Sequence, residues 1–519
     1  MLWFVAIFSF LFAVLAYKKL DWAVLLLIFG LPSYLIRFKI LGLPFTLLEA
    51  MILIAFFVWL LKERHQIFKN IKVAFKKLFG FEIRNSKFEI RKRYPFDIEI
   101  SLLLIISFLS VGIAGLSNDA LGIWKAYFFE PVLVFILLLN IFQTREKLGK
   151  IIYALAFSAF FLSIYAIFQK VTGLGIGNEF WQAAATRRVT SVFPYPNALA
   201  LFLTPLIMVF WGQAWTEIKK WRGKEKIFNL SFFKTSFLGL VMFFSFLAIF
   251  FARSEGGLIA LVFALVVFLF FVGRAWRWLS YGVLAAGLIF LILVPGPRTQ
   301  VVEKATLSDL SGEIRKQQWR ETWQMLTESN FRFIFGSGLA NYQGVVKPYH
   351  QEGIFYNRDK DPLFKTKLLL FNQEYKSKYW QPVETYLYPH NIFLNFWVEL
   401  GIIGMLLFVW VISKYFYLSF RNWRLFGNCR PSGDHPQGGK LIQDSELEIA
   451  ALRATTRRVG NYKEKDLYYL NLGLLGAMTV IIIHGLVDVP YFKNDLAVLF
   501  WILLALLSLI KLNLEFNNE

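Results

Sequence analysis

The chain holds five histidines. One of them, His390, stands at the lip of a long apolar run, 391–412, behind the polar stretch 296–390. An imidazole can take a proton from a hydroxyl near neutral pH. Its neighbour Asn391 is a residue type that caps helices, so His390 reads either as a base or as an incidental neighbour of a cap. Within the polar stretch, "EIRKQQWRETWQMLTES" has helical spacing, with Ile314, Trp319, Trp323 and Leu326 available to line one side. Arg315 and Trp319 are four apart and share a face, and Arg320 follows. Arginine forks onto phosphate oxygens, and tryptophan stacks on sugar rings or packs under a cap. A solvated amphipathic helix is the other reading of this segment. In "FFARSEGGLIALVFALV", Arg253, Ser254 and Glu255 occupy a tight turn between apolar runs, and Gly256 and Gly257 allow close backbone approach. That turn is either a site or an ion-paired hairpin. "TRRVTSVFPYPNALALF" sets Arg187 and Arg188 ahead of Asn197, which starts a helix. In "HGLVDVPYFKND", Asp488 lies at a turn with His484 one helical turn deeper. Asp488 can orient a histidine or an arginine, or simply cap. Together these residues suit an anionic group held by arginines beside a base.

Something must bring them together, and the composition says what. Hydrophobic residues make up 57% of 519, with 57 Phe, and the mean hydropathy is +0.52. A soluble protein cannot bury that much apolar surface. Thirteen apolar runs, from 2–17 and 21–36 to 495–511, give 12 or 13 membrane spans, the first two being short. The expected fold class is therefore all-α and polytopic. Between Lys62 and Arg93 lie eleven Lys/Arg against three Glu, and "QTREKLGK", "EIKKWRGKEK", "RAWRW" and Lys414–Arg458 are basic too. Placing these inside gives a consistent alternation from residue 62 to a cytoplasmic C-terminus. The net charge of +21 then reflects loops beside anionic lipid and calls for no nucleic acid. Every candidate site residue falls on the extracytoplasmic side.

Three regions follow: an N-terminal transmembrane bundle at 1–295, a large extracytoplasmic loop with short helices at 296–390, and C-terminal spans at 391–519 with an inner loop at 413–467. Residues 427–462 are Gly/Pro-rich and polar and read as a flexible inner loop. The first run lacks a basic leader and a small-residue cleavage site, so it reads as a retained helix. One cysteine, Cys429, leaves no internal disulfide and no multi-cysteine metal site. Asp359-Lys360-Asp361 has the spacing of a metal-dependent sugar-nucleotide site but no hydrophobic strand before it, and reads as a charge run. Walker A, HExxH and GxSxG patterns are absent from the sequence. Few acids fall within the spans, which argues against a proton-coupled transporter.

"YPHNIFLNFWVELGIIGMLLFV" resembles the signature "HNxxLxxxxELGxxGLxxF" of the bacterial O-antigen ligase and O-antigen polymerase superfamily. "RKQQWRETWQMLTESNFRFIFGSGLANY" is similar to its Arg-x-x-x-Trp segment and following Gly-x-Gly turn, "ARSEGGLIAL" to its Ser-Arg-Gly-Ala-x-x-Ala helix start, and "RRVTSVFPYPNALALFL" to its PN-x-x-A segment. "HGLVDVPYFKNDLAVLFWILL" also fits, and the motifs keep the family order over residues 120–510. The resemblance implies a GT-C-like membrane glycosyltransferase of the bacterial inner membrane, with no metal and no cofactor. Its donor would be a glycan on undecaprenyl pyrophosphate and its acceptor a lipid or another glycan. By position, His390 matches the family's acceptor-activating histidine, and Arg315 the loop arginine that holds pyrophosphate. The helix-start arginine does not carry over, because Glu255 occupies its place. Either Arg253, two residues earlier, or another arginine such as Arg188 takes the role.

These residues give a working assignment. His390, Arg315 and Arg253 act catalytically. Arg188, Arg187, Trp319, Arg320, Asn391, Glu255 and Asp488 bind substrate. The rival activities are oligosaccharide transfer onto protein Ser/Thr and, from another class, a flippase for lipid-linked glycans without catalysis. A flippase needs polar groups along a transmembrane path, whereas here they collect on one face.

Overall fold

The structure is a computed structural model that describes residues 2–40, 43–78, 95–222, 229–370, 373–428 and 467–515. The inner-loop segment expected at 427–462 lies outside the described residues from 429 onward, as does the basic tract from 79. The described residues are mainly helical, with two short antiparallel strand pairs, Arg37–Ile40 with Leu43–Thr46 and Gly353–Phe355 with Trp380–Pro382. Among the described residues, nine helices are long and apolar enough to cross a membrane. The remaining apolar runs form the shorter helices Leu2–Lys18, Leu20–Phe29 and Asp97–Ile113 and the start of Leu47–Leu78. The run at 21–36 is not one span. Its helix stops at Phe29, where Gly30 and Pro32 tighten the chain into a 3-10 turn, Leu31–Leu35. "RAWRW" is not a connection either. It forms the first turn of helix Arg274–Leu293, which Gly273 alone joins to Glu255–Val272.

Burial orders the bundle. In Pro196–Trp221 and Asn494–Leu514, 89% of the apolar stretch is buried, against 6% for Arg274–Leu293. The first two are the centre, and the last faces outward along almost its whole surface. At the centre, Pro196–Arg222 and Leu467–Gly485 cross backbone to backbone. A Cβ on Gly212 would stand 2.9 Å from the Cα of Gly473, and one on Gly473 would stand 2.6 Å from the carbonyl of Met208. Lipid supplies no hydrophobic drive between helices, so such close packing is what holds them.

The segment between Arg274–Leu293 and the helix Ile392–Asn428 folds into a cap. Its helices are Pro295–Ala305, Leu310–Thr327, Asn330–Phe335, Tyr342–Val346, Phe364–Leu370 and Gln373–Tyr379. The cap docks where the membrane helix is interrupted. Gly401 has φ 75° inside Ile392–Asn428, so carbonyls around it lose their helical partners. The cap and a neighbouring helix supply replacements. Ser337 donates its N–H to the Val398 carbonyl at 2.7 Å, and Ser110 Oγ donates to the Glu399 carbonyl. The Ala340 N–H reaches the Glu399 carboxylate at 2.8 Å, and Trp397 Nε1 donates to the Phe333 carbonyl at 2.8 Å. The glycines make this approach possible. Gly336 has φ 73°, and a side chain there would collide with the carbonyls of Val398 and Trp397; one on Gly401 would collide with Ile334. Gly336→Ala and Gly401→Ala should each destabilise the protein by about 2 kcal/mol or more, through left-handed backbone and steric conflict together. The expected signs are a lower melting midpoint in detergent and faster proteolysis between residues 336 and 390. Unchanged melting and proteolysis would show that the docking is not built on these contacts.

Candidate active site

Helix Leu310–Thr327 starts on Asp309, whose carboxylate accepts the Gly312 N–H. It turns Arg315, Gln318 and Trp319 toward one place, as the i, i+3, i+4 rule requires. Trp319 Nε1 donates to the Pro389 carbonyl at 2.8 Å, and His390 Nδ1 lies 3.0 Å from Gln318 Oε1. The rings of Tyr386 and Tyr388 stand 5.0 Å from the imidazole. His390 has φ 46°, a left-handed conformation that costs roughly 1–3 kcal/mol in a non-glycine residue and is maintained by such surroundings. Asn391 caps the following helix, accepting the N–H groups of Phe393 and Leu394 at 3.0 Å. Its amide donates to the Leu486 carbonyl at 3.1 Å, while Arg315 Nε donates to the Val487 carbonyl at 2.9 Å. The turn after helix Leu467–Gly485 is thus tied to both helices, and Asp488 is its next residue. Burial holds the His390 imidazole below its ordinary pKa, and Arg315 pushes the same way against Asp488. The ring is neutral at pH 7, and with the Nδ1 proton directed at Gln318 its lone pair lies on Nε2.

Asp488 is buried and links this corner to a second one. Its Oδ1 accepts the Val489 N–H, and its Oδ2 accepts Asn197 Nδ2 at 3.1 Å. Asn197 Oδ1 in turn accepts from Arg188 Nη2 at 3.3 Å, and Arg188 Nε donates to the Ala252 carbonyl at 2.9 Å. Arg253 ends helix Leu230–Ala252 at φ 52°, with Nη2 3.4 Å from the Ala185 carbonyl. Lys170 Nζ donates to the Arg187 carbonyl at 3.4 Å. Burial and the nearby Arg253 hold Arg188 below the usual arginine range, with Glu255 opposing. Lys170, Arg188 and Arg253 therefore share one corner, and Glu255 is the carboxylate that acts on Arg188. Glu255 is itself paired with Lys304 at 2.6 Å, and Lys304 also meets Asp309 at 2.8 Å. Burial pulls Lys304 down, but its bonds to Asp309 and Glu255 more than offset this and leave it above the usual lysine range. His484 lies beneath: a Cβ on Gly256 or Gly257 would stand 3.1 or 3.4 Å from its ring.

Not every expected residue joins these corners. Arg187 turns its guanidinium to the carbonyls of Lys170, Val171 and Gln182, which tie its own loop together. Arg320 is exposed, and Trp323 packs edge-on against Trp397 at 5.7 Å. The inward face of Leu310–Thr327 is not the line of Ile314, Trp319, Trp323 and Leu326. It is largely polar, with Gln317, Gln318, Glu321 and Thr322 buried beside Met325 and Leu326. Gln318 meets His390, and Glu321 meets His350 at 3.2 Å and the Gln351 N–H at 2.9 Å. Gln318 and Lys304 escaped the sequence reading. Gln318 was recoverable from its helical register with Arg315, whereas no local signal points to Lys304. Asp359 and Asp361 are engaged by Tyr379 and Lys367. Among the described residues, no three His, Cys, Asp or Glu side chains are placed to hold a metal ion.

Residues 240–409 match the family model described as O-antigen ligase, while the chain matches no curated protein. The matched stretch contains the Arg253–Glu255 turn, the whole cap with Arg315 and Gln318, His390, and the interrupted helix at Gly401. Over this stretch the chain is similar to the O-antigen ligase family.

Proposed function

We propose that the protein transfers a glycan from undecaprenyl pyrophosphate to an acceptor hydroxyl on the extracytoplasmic face of the bacterial inner membrane. One observation carries the reading: a neutral, oriented imidazole shares one end of the bundle with a group of cations that repel one another and lack matching carboxylates. An anion relieves that repulsion, and a diphosphate leaving group supplies one. The basic connections on the other side support the extracytoplasmic placement.

In this reading the acceptor hydroxyl gives its proton to His390 Nε2 as its oxygen attacks the anomeric carbon. The bond from that carbon to the diphosphate oxygen breaks, and the electron pair leaves with the diphosphate. Arg188, Arg253 and Arg315 stabilise the charge that develops there. Gln318 keeps the Nδ1 proton in place, so that Nε2 is the basic atom. Its amide Nε2 is buried with no partner among the described residues, the kind of donor that a bound hydroxyl or phosphate satisfies. Glu255 offsets part of the positive charge around Arg188.

Two measurements test the reading. With purified protein and an undecaprenyl pyrophosphate-linked glycan, His390→Ala and Arg315→Ala should each reduce transfer by about 10²–10⁴-fold while the protein remains inserted. Arg320→Ala should stay within about twofold, since that side chain lies in solvent. Transfer at wild-type rates by both of the first two variants would remove His390 and Arg315 from the chemistry. The second measurement is pH dependence. Because His390 is held below its ordinary value of 6.5, the base remains available at mildly acidic pH, and the acid limb of kcat/KM should fall below 6.5. Asp488→Asn removes the charge that opposes this shift and should move that limb lower still. A limb above 6.5 that is indifferent to Asp488→Asn would exclude His390 as the titrating base.

A further inference from the structure

The cap carries an apolar face that none of the described residues covers. In the short helix Asn330–Phe335, Phe331 is 58% exposed, Ile334 38% and Phe335 41%. The polar residue among them points the other way, since Arg332 pairs with Glu328 and donates to the Tyr349 hydroxyl at 2.8 Å. Phe333 packs edge-on against Trp397 of the membrane helix, with ring centroids 5.0 Å apart. This amphipathic turn is held rigidly, because the next residues, Gly336 to Gly338, form the docking turn.

The docking turn also fixes how deep the face sits. Lys414 and Glu99 form an ion pair of 2.7 Å with Glu99 1% exposed, which marks a polar level in the first turn of helix Asp97–Ile113 and just past the apolar run 391–412 of helix Ile392–Asn428. Thirteen residues separate Lys414 from Gly401, roughly 20 Å of helix. On the other helix, fifteen residues separate Glu99 from Ala114, roughly 22 Å. Ala114 touches the cap as well, since a Cβ on Gly338 would stand 2.7 Å from its nitrogen. Both distances fall short of the hydrocarbon thickness of about 30 Å. Measured from that polar level, the docking turn lies about 8–10 Å inside the far edge of the hydrocarbon layer and not above it. Just past Gly401, the apolar surface continues with Ile403 at 49% and Leu406 at 56% exposure.

We infer that Asn330–Phe335 is a lipid-contacting element, with Phe331, Ile334 and Phe335 set into the headgroup–acyl boundary of one leaflet. Its partner is the bilayer itself, and the surface is continuous with the lipid-facing side of helix Ile392–Asn428. An interfacial amphipathic segment buries its apolar face about 5–10 Å into that boundary, which matches the level of the docking turn. Trp323 and Trp397 stand where aromatic belts form. The inference does not depend on the proposed chemistry, since it requires only that the helices span a membrane.

The test uses the full chain in lipid nanodiscs. On a Cys429→Ser background, Phe331→Cys, Phe335→Cys and Ile403→Cys are made singly and labelled with a small environment-sensitive fluorophore. Lipids brominated along the upper acyl chain should lower emission at 331 and 335 by about twofold, as at Ile403, and aqueous iodide should quench both weakly. Quenching by bromolipid at Ile403 in parallel samples shows that the bundle is inserted. If Ile403 responds to bromolipid while 331 and 335 respond only to iodide, the face lies in water and the inference is overturned.

Discussion

An interrupted helix organises this protein. A membrane helix that turns left-handed at Gly401 exposes backbone carbonyls where hydrocarbon offers no hydrogen bonds, and each must find a donor inside the protein. The donors are Ser110 from one neighbouring helix and Ser337 from the cap. The cap is therefore pinned to the membrane body by satisfied backbone groups, together with an apolar cluster in which Met325, Leu326, Tyr342 and Val346 meet Val398. Everything on the cap inherits that fixed position. Helix Leu310–Thr327 begins only a short chain away, and its Trp319 and Gln318 hold the Pro389–His390 corner. Without the break the long segment would be held by fewer contacts, and the pairing of Arg315 with the Val487 carbonyl would carry a larger entropic cost.

The electrostatics of the site follow from that pinning. Cations on separate helices and loops repel one another, and only a rigid frame keeps them close. Lys170, Arg188 and Arg253 come from three different elements, each tied down by backbone carbonyls and not by carboxylates. Neutral partners orient a guanidinium without neutralising it. The imidazole is treated alike: its partner is an amide, Gln318, and the nearest carboxylate, Asp488, is occupied by Asn197 and the Val489 N–H. Oriented charge and an unprotonated ring are thus kept side by side, which a site built from direct ion pairs could not do. Glu255 is the exception, and it draws its partner Lys304 from the far end of the cap's first helix.

How much of this could be read beforehand differs from residue to residue. The spans follow from hydropathy alone, except where Gly30 and Pro32 end a helix within an apolar run. The cap of Asn391 on its helix and the grouping of Arg315 with His390 follow from residue type and side of the membrane. The polar inward face of Leu310–Thr327 does not, because an amphipathic pattern assigns Gln317, Gln318 and Glu321 to water; here they meet two histidines and a backbone amide instead. Lys304 and Glu255 are distant in sequence, and pairing at that range depends on how the cap folds back. The "GSG" and "ELG" motifs were visible as motifs, yet the fact that they are two halves of one contact appears only in three dimensions.

The piece of helix between Asn391 and Gly401 acts as a ruler. Ten residues of helix, on the order of 15 Å, separate the anchoring break from the imidazole at its upper end. Because the cap grips both ends of this piece, through Val398 and through Pro389, its length is not adjustable. In the proposed reaction the height of the base above the bilayer is then a constant of the protein. A donor hanging from a lipid diphosphate reaches that height by its own fixed geometry. An acceptor must present its hydroxyl at the same level, so the choice of acceptor becomes partly a matter of stature as well as of sugar chemistry.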